Sequence, residues 1–175
     1  MVFNGRRTHP ANIEILANES QAEKLYHLLK KAEAAGRLRF CDSGFLNQTR
    51  IESRIPAIPI EIGPDELPHE GGLETDAVDF EKGCFLGQEV MARLKSMGQI
   101  QRGLIPVKIK STLPENLPAK LFLKEKSFGL LKSYFTAVID SRGLGMALVR
   151  LENLPEIKTK GLSFSPSEEP KIFPI

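Results

Sequence analysis

The sequence predicts an α+β protein, and three observations carry that reading. The first hundred residues combine a short alternating run with helical periodicity, whereas the residues after Gly98 fall into short β-like runs punctuated by Pro and Gly. The chain has 175 residues, 41% hydrophobic and 26% charged, long enough for one ordinary domain or two small ones around a core. That composition argues against intrinsic disorder.

Asn12 to Ala17 alternates as a short strand, and Asn18 followed three residues later by Gln21 is the polar pair of a capping box. A helix is expected next, because Ala22, Leu25, Leu28, Leu29 and Ala32 recur at spacings of three and four; Gly36 supplies its left-handed stop. Gly44 to Ser53 reads as a second, shorter helix with Phe45, Leu46 and Ile51 inward, before Pro56 and Pro59 impose an extended segment. Beyond the change of texture at Gly98 to Arg102, taken as the domain division, strands are expected over Gln101 to Ile109, Ala119 to Lys124, Gly129 to Val138 and Leu144 to Leu151. They suggest a small antiparallel sheet or barrel. Leu162 to Phe164 adds a last strand, and Ser165 to Ile175 reads as a tail.

Lys and Arg total 24 against 22 Asp and Glu, a balance of +2 that excludes a global cationic field; any RNA contact needs a local patch. The balance conceals two opposed stretches. Glu61 to Glu81 holds eight acidic residues and no Lys or Arg, whereas Lys82 to Lys110 holds Lys82, Arg93, Lys95, Arg102, Lys108 and Lys110 against the single acid Glu89. Two readings stand: solvated faces that attract one another across the fold, or a cationic wall lining a ligand or RNA site. No run approaches the roughly 18 apolar residues that span a bilayer, and the first ten residues have no apolar core of a signal peptide, so a soluble, non-secreted protein is expected. Cys41 and Cys84 lie 43 residues apart with no CxxC pair and no His at ligand spacing, which suggests neither a zinc knuckle nor a disulfide framework.

One segment departs from generic globular sequence: Lys82-Gly83-Cys84-Phe85-Leu86-Gly87-Gln88-Glu89, followed by Val90-Met91-Ala92-Arg93. Lys82 and Gly83 suit a turn and Gln88 to Lys95 suits a helix, which places Cys84 at or just before a helix N-terminus. The helix dipole and the Lys82 ammonium would both favour thiolate there. On spacing alone the commoner outcome is a small buried cysteine between turn-forming glycines; for Cys41 the inert reading is stronger still.

The eight residues KGCFLGQE resemble the K-G-C-[YF]-x-G-Q-E signature of the YgfZ family, folate-binding relatives of the glycine-cleavage T-protein that act in iron–sulfur protein maintenance. Arg50-Ile51-Glu52 with Ile55-Pro56 resembles the family's R-I-E-x-G-x-P element, Leu67-Pro68-His69-Glu70 its L-P-x-E, Val78-Asp79-Phe80 its V-S-F, and Gly98 with Arg102 its G-x-x-x-R. The resemblance runs from about Asn12 to Leu151. It implies a partial ferredoxin-like T-protein layer over residues 1–98 and a small antiparallel β-barrel with a tail over 99–175.

By the same resemblance the bound cofactor is tetrahydrofolate, with Glu52, Leu46 and Lys82 as its contacts. A carboxylate at Glu52 suits the paired donors of a pterin's aminopyrimidine edge; without the resemblance Glu52 reads as an exposed helix residue paired with Arg50 or Arg54. Cys84 falls on the signature cysteine and is the expected working residue, with Gly83, Phe85, Gly87, Gln88, Glu89 and Arg93 holding the motif in place. Three departures stand out. Arg54 replaces a glycine, so the turn there is expected to be reshaped; Phe85 replaces the commoner tyrosine; and Leu46 occupies the place of an aromatic residue near the folate ring, so stacking there is either lost or passed to Phe45. Family members are nearly twice this length, so the chain matches their second half. The resemblance implies an accessory factor for iron–sulfur proteins, including tRNA-modifying enzymes, acting with those proteins or their assembly machinery in the cytoplasm, or in the mitochondrial matrix of a eukaryote. Two other classes remain: a tetrahydrofolate-dependent aminomethyltransferase, and a half-protein interaction module without folate.

Overall fold

The structure is a computed structural model that describes residues 1–5, 12–75, 77–98, 100–110, 112–136 and 143–175. Asp76, the side chain of Lys95 and the last two residues of the expected strand 129–138 lie outside the described residues. The chain forms two compact units, Met1–Ile55 and Pro56–Ile175. Gly98 falls inside the second.

The first unit opens with an antiparallel ribbon of β1 (Val2–Asn4) and β2 (Ile13–Ile15). β1 is absent from the sequence reading, because three residues are too few for alternation to register. The helix α1 (Glu19–Ala34) starts at the expected box, with Asn18 Oδ1 accepting from Gln21 N at 2.9 Å and Gln21 Oε1 accepting from Asn18 N at 3.3 Å. It ends as expected at Gly36, whose φ of +68° lets Gly36 N donate to Glu33 O and Arg37 N to Ala32 O, the double bond of a Schellman turn. Its apolar stripe is not buried: no residue of α1 falls in the buried class, and Leu28 is 63% exposed.

The helix α2 (Ser43–Glu52) is capped by Asp42, whose Oδ1 accepts from Phe45 N at 2.9 Å. Of the three residues expected inward, only Ile51 is buried; Phe45 and Leu46 are exposed. Burial in this helix is confined to its last turn, where Ile51 is 1% exposed.

In the second unit α3 (Gln88–Met97) precedes a five-stranded antiparallel sheet of β3 (Arg102–Ile109), β4 (Ala119–Leu123), β5 (Lys126–Thr136), β6 (Gly143–Arg150) and β7 (Ile172–Pro174), with α4 (Leu154–Lys160) between β6 and β7. The spatial order is β4-β5-β6-β3-β7. The sheet curls, and Leu162 and Ser163 bridge its two edges, Leu162 to Ile172 on β7 and Ser163 to Phe122 on β4. The interior takes alternate residues, Val107 and Ile109, Leu121 and Leu123, Ala147 and Val149, with Ile157 of α4 and Ile172 closing it. The expected tail is therefore corrected: Ile172 is fully buried and β7 pairs with β3, a strand of three residues that carries too little pattern to be read.

The two opposed charge stretches meet at the pair of Glu70 with Arg102, whereas Glu61 and Glu66 turn to β5 instead. Three acids each close a local turn and grip the sheet; Glu61 and Glu66 divide these roles between their two oxygens, whereas Oε2 of Glu70 takes part in both. Glu61 accepts from Ala57 N at 2.7 Å and from Ser133 Oγ; Glu66 accepts from Gly63 N at 2.9 Å and pairs with Lys132 Nζ at 2.7 Å. Glu70 accepts from Leu67 N at 2.9 Å and takes both Arg102 Nε (2.7 Å) and Nη2 (3.1 Å). A bulge makes two of these contacts adjacent. The register of β5 on β6 slips between Leu131 and Ser133, so Lys132 is the extra residue and both it and Ser133 meet the acidic segment.

Candidate functional site

The motif loop is ordered from both ends. Asp79 Oδ1 accepts from Glu81 N at 2.8 Å and Lys82 N at 3.2 Å, fixing the entry. Gly87 caps α3 with φ of +86°, a conformation that other residues adopt at a cost of roughly 1–2 kcal/mol, and its carbonyl accepts from Met91 N. Met91 is 6% exposed and anchors the helix. Between these ends Lys82 Nζ sits 4.8 Å from the centroid of the Phe85 ring, a cation–π contact that needs no tyrosine hydroxyl.

Cys84 is exposed, which corrects the buried alternative, and it lies three residues before Gly87, ahead of the helical turn itself. The dipole effect falls off within the first turn, so exposure rather than the helix is what the fold gives this thiol. Cys41 is exposed too. At Gly83 a methyl group would meet nothing within 4 Å, and its φ is not in the left-handed region, so neither crowding nor strain accounts for the glycine.

Glu89 and Arg93, expected only to support the motif, line a cleft of about 420 Å³ with Val90, Leu94, Leu67 and Gly98. A second cleft of about 390 Å³ shares Leu67 and Leu94 and is walled by His69, Glu70, Gln101 and Arg102. Cys84 is not among the described residues lining either. The imidazole of His69 is 8% exposed, stands 6.4 Å from the Phe80 ring, and its Nδ1 has no hydrogen-bond partner among the described residues. Sequence reasoning identified Leu67 to Glu70 and Arg102 as family elements without seeing that they form one wall. The signal was the pairing of an L-P-x-E glutamate with the exit arginine, which only the fold reveals. Glu70 raises the Arg102 guanidinium above its ordinary value by their hydrogen bond, and Lys132 holds the Glu66 carboxyl below the usual carboxylate range.

The remaining expected cofactor contacts stand on α2 in the first unit. Glu52 is exposed and its Oε1 accepts from Gln48 Nε2 at 3.1 Å. Helical geometry places Phe45 and Glu52, seven residues apart, on nearly the same face, whereas Leu46 lies roughly 120° around the helix from Glu52. Arg54 reverses one expectation. Its φ is +57°, so the backbone keeps the left-handed conformation that suits the family's glycine and holds an arginine in it.

No family model matches the chain. Curated proteins do. A mitochondrial iron-sulfur cluster assembly factor IBA57 homolog of Coccidioides immitis is 32% identical over 139 residues, 63% of this chain and 33% of that protein. The tRNA-modifying protein YgfZ of Aliivibrio fischeri is 27% identical over 116 residues, 66% of this chain and 34% of its own. An aminomethyltransferase of Bacillus pumilus is 24% identical over 136 residues, 78% of this chain and 37% of its own. These relatives indicate the YgfZ/IBA57, glycine-cleavage T-protein-like family. The matched part of the chain spans about a third of the length of each. The mixed fold with its curled antiparallel sheet is compatible with a T-protein-like architecture. No described helix is long and apolar enough to cross a membrane.

Proposed function

We propose that this chain acts as a YgfZ-like accessory factor in the assembly or repair of iron–sulfur proteins, tRNA-modifying enzymes among them, with Cys84 as the working residue. The observation that carries the reading is an exposed thiol on a loop pinned by Asp79 on one side and by Gly87 and α3 on the other. A rigid support with an accessible sulfur suits contact with a client or with assembly machinery, and Gly83, unexplained by the chain's own packing, suits close approach by that partner. The mitochondrial names of the IBA57 relatives support an organellar setting where the source is a eukaryote.

Tetrahydrofolate fits the chemistry of the residues present. The first unit, a ribbon with two helices, falls within residues 1–98, which this reading assigns to the ferredoxin-like folate layer, and α2 offers Glu52 as an exposed carboxylate for the pterin edge. Phe45, on the same helical face and 51% exposed, is better placed than Leu46 to stack on the ring. When bound, tetrahydrofolate supplies a one-carbon carrier; the chain's own residues bind and orient it.

The test is complementation in cells lacking their own factor, with the activity of an iron–sulfur enzyme as readout. Cys84→Ala is expected to abolish rescue while Cys41→Ala keeps it; full rescue by Cys84→Ala removes the cysteine from the mechanism. The relative named aminomethyltransferase, matched over 78% of this chain, supports the second reading. Formation of methylene-tetrahydrofolate from an aminomethylated carrier protein by the purified chain would put that reading first.

A further inference from the structure

The face of the sheet opposite the interior carries a groove of about 370 Å³, lined by Arg102, Lys120, Ser127, Phe128 and Arg150 and floored by the strands of β5 and β6. Strand register accounts for its charge. Arg102 on β3 pairs directly with Arg150 on β6, and Lys120 on β4 continues through Leu130 to Leu148, two residues before Arg150 on the same face. Lys120 is therefore two strands over from Leu148, roughly 10 Å across the sheet, within convergence distance for long side chains.

Like charges placed directly opposite destabilise an antiparallel pair. Arg102 is compensated by its two bonds to Glu70. Arg150 is not compensated to the same degree. Its contact with Glu152 is 3.7 Å, too long for a hydrogen bond, and both side chains are about two-thirds exposed at 67% and 69%. Lys120 has no ionic partner among the described residues. A bulge completes the groove: β4 pairs Leu121 with Gly129 and Phe122 with Ser127, so Phe128 is the extra residue; its half-buried ring packs against the interior core and its remaining surface lines the groove beside the cations.

We infer that this groove binds a phosphoryl group attached to a planar base, with Arg150 and Lys120 as its direct ligands. Arginine and lysine offer only donors and a phosphate offers only acceptors at this density, so the match is chemical as well as electrostatic. Ser127 adds a hydroxyl donor, Phe128 an apolar surface for the base, and Arg102, tied to Glu70, a fixed positive field. The acids acting on these cations include Glu70, engaged by Arg102, Glu66, which adds a longer-range attraction on Arg102, and Glu152, which stands 3.7 Å from Arg150 in a contact exposed to solvent. The site is independent of Cys84 and of folate.

Calorimetric titration of the full chain with inorganic phosphate, adenosine monophosphate and a six-nucleotide oligoadenylate tests the inference. Adenosine monophosphate is expected to bind more tightly than phosphate. Arg150→Ala and Lys120→Gln, both exposed substitutions, should each weaken it by roughly tenfold or more, and Cys84→Ala should leave it unchanged. Tighter binding of the oligonucleotide with a steep salt dependence identifies a nucleic-acid strand as the source of the phosphate; equal binding of the two nucleotides identifies a free nucleotide. Absence of binding by all three at millimolar concentration overturns the site, as does affinity that survives the Arg150→Ala, Lys120→Gln double variant with its circular dichroism unchanged.

Discussion

In the first unit the buried apolar side chains, among the described residues, are Ile51 and Ile55, while the second unit buries a continuous interior from Val107 to Ile172. The first is shaped by bonds between near neighbours: the Asn18–Gln21 box, the Gly36 turn, the Asp42 cap. The second is shaped by bonds that join segments 32 to 72 residues apart, with Glu61, Glu66 and Glu70 gripping β5 and β3. Local bonds set the direction of a chain but stabilise it little, because each offsets only part of the entropy of the residues it orders. Substitutions that remove one contact should therefore cost much more in the second unit than in the first.

The largest effect is expected from Glu66→Gln. The Glu66 and Lys132 side chains are 9% and 12% exposed, and removing the carboxylate strands a nearly buried ammonium, a loss of about 3 kcal/mol or more in urea denaturation. The pH dependence has a definite sign. The Glu66 carboxyl is held below its usual range chiefly by the Lys132 hydrogen bond, helped by the Gly63 N–H and opposed by burial. A depressed carboxylate stabilises the fold fully above its unfolded pKa and loses that contribution as pH falls through the folded value. The acid limb of stability against pH should be shallower in Glu66→Gln, and parallel limbs would show that the pair contributes nothing.

Gly145→Ala comes next. A Cβ at Gly145 would lie 2.6 Å from the Ser133 carbonyl oxygen and 2.9 Å from Leu131 Cδ1, inside the bulged segment that presents Lys132 and Ser133. β6 is buried on both faces at this point, so neither strand can retreat, and about 2 kcal/mol should be lost. A thermal midpoint equal to that of the parent would mean that the bulge yields, and the second unit would then be less tightly specified than its burial implies.

The same division explains what could be read in the sequence. Signals confined to a few neighbouring residues were legible: Asn18 with Gln21, Gly36, the helix after Gly87 and the alternating strands of the sheet. Features that depend on distant partners were not. β7 is three residues long, and only its place beside β3 makes it a strand. The acids from Glu61 to Glu70 read only as a face attracted to the basic stretch, because no spacing within that segment announces Ser133, Lys132 or Arg102 as the particular partners. In the motif, the order of residues predicted turn and helix, but the exposure of Cys84 and the cleft beside Glu89 and Arg93 follow from packing that α3 acquires only in the folded unit. The stripe of α1 fails in the opposite sense, since its periodicity is correct and the burial it implies is missing from the unit that contains it.

Arg54→Gly has the smallest expected effect and the opposite sign. At φ of +57° an arginine holds a conformation that costs a side-chain-bearing residue roughly 1–2 kcal/mol, and glycine relieves it. Glycine also gives the unfolded chain more freedom and removes the interaction that the arginine side chain makes, which together take back most of the gain, so a net stabilisation of about 0.5 kcal/mol at most is expected. Because Arg54 stands immediately beyond α2 and beside Ile55, the gain belongs to the unit with the fewest buried contacts. The sequence contains two tyrosines and no tryptophan, and Tyr26 and Tyr134 fall one in each unit. Tyrosine fluorescence in a Tyr134→Phe background therefore follows the first unit, and in a Tyr26→Phe background the second. The Arg54→Gly midpoint should rise in the first measurement and stay fixed in the second. A rise of equal size in both would show that the two units unfold as one, and the contrast between local and long-range stabilisation would then describe two parts of a single cooperative structure.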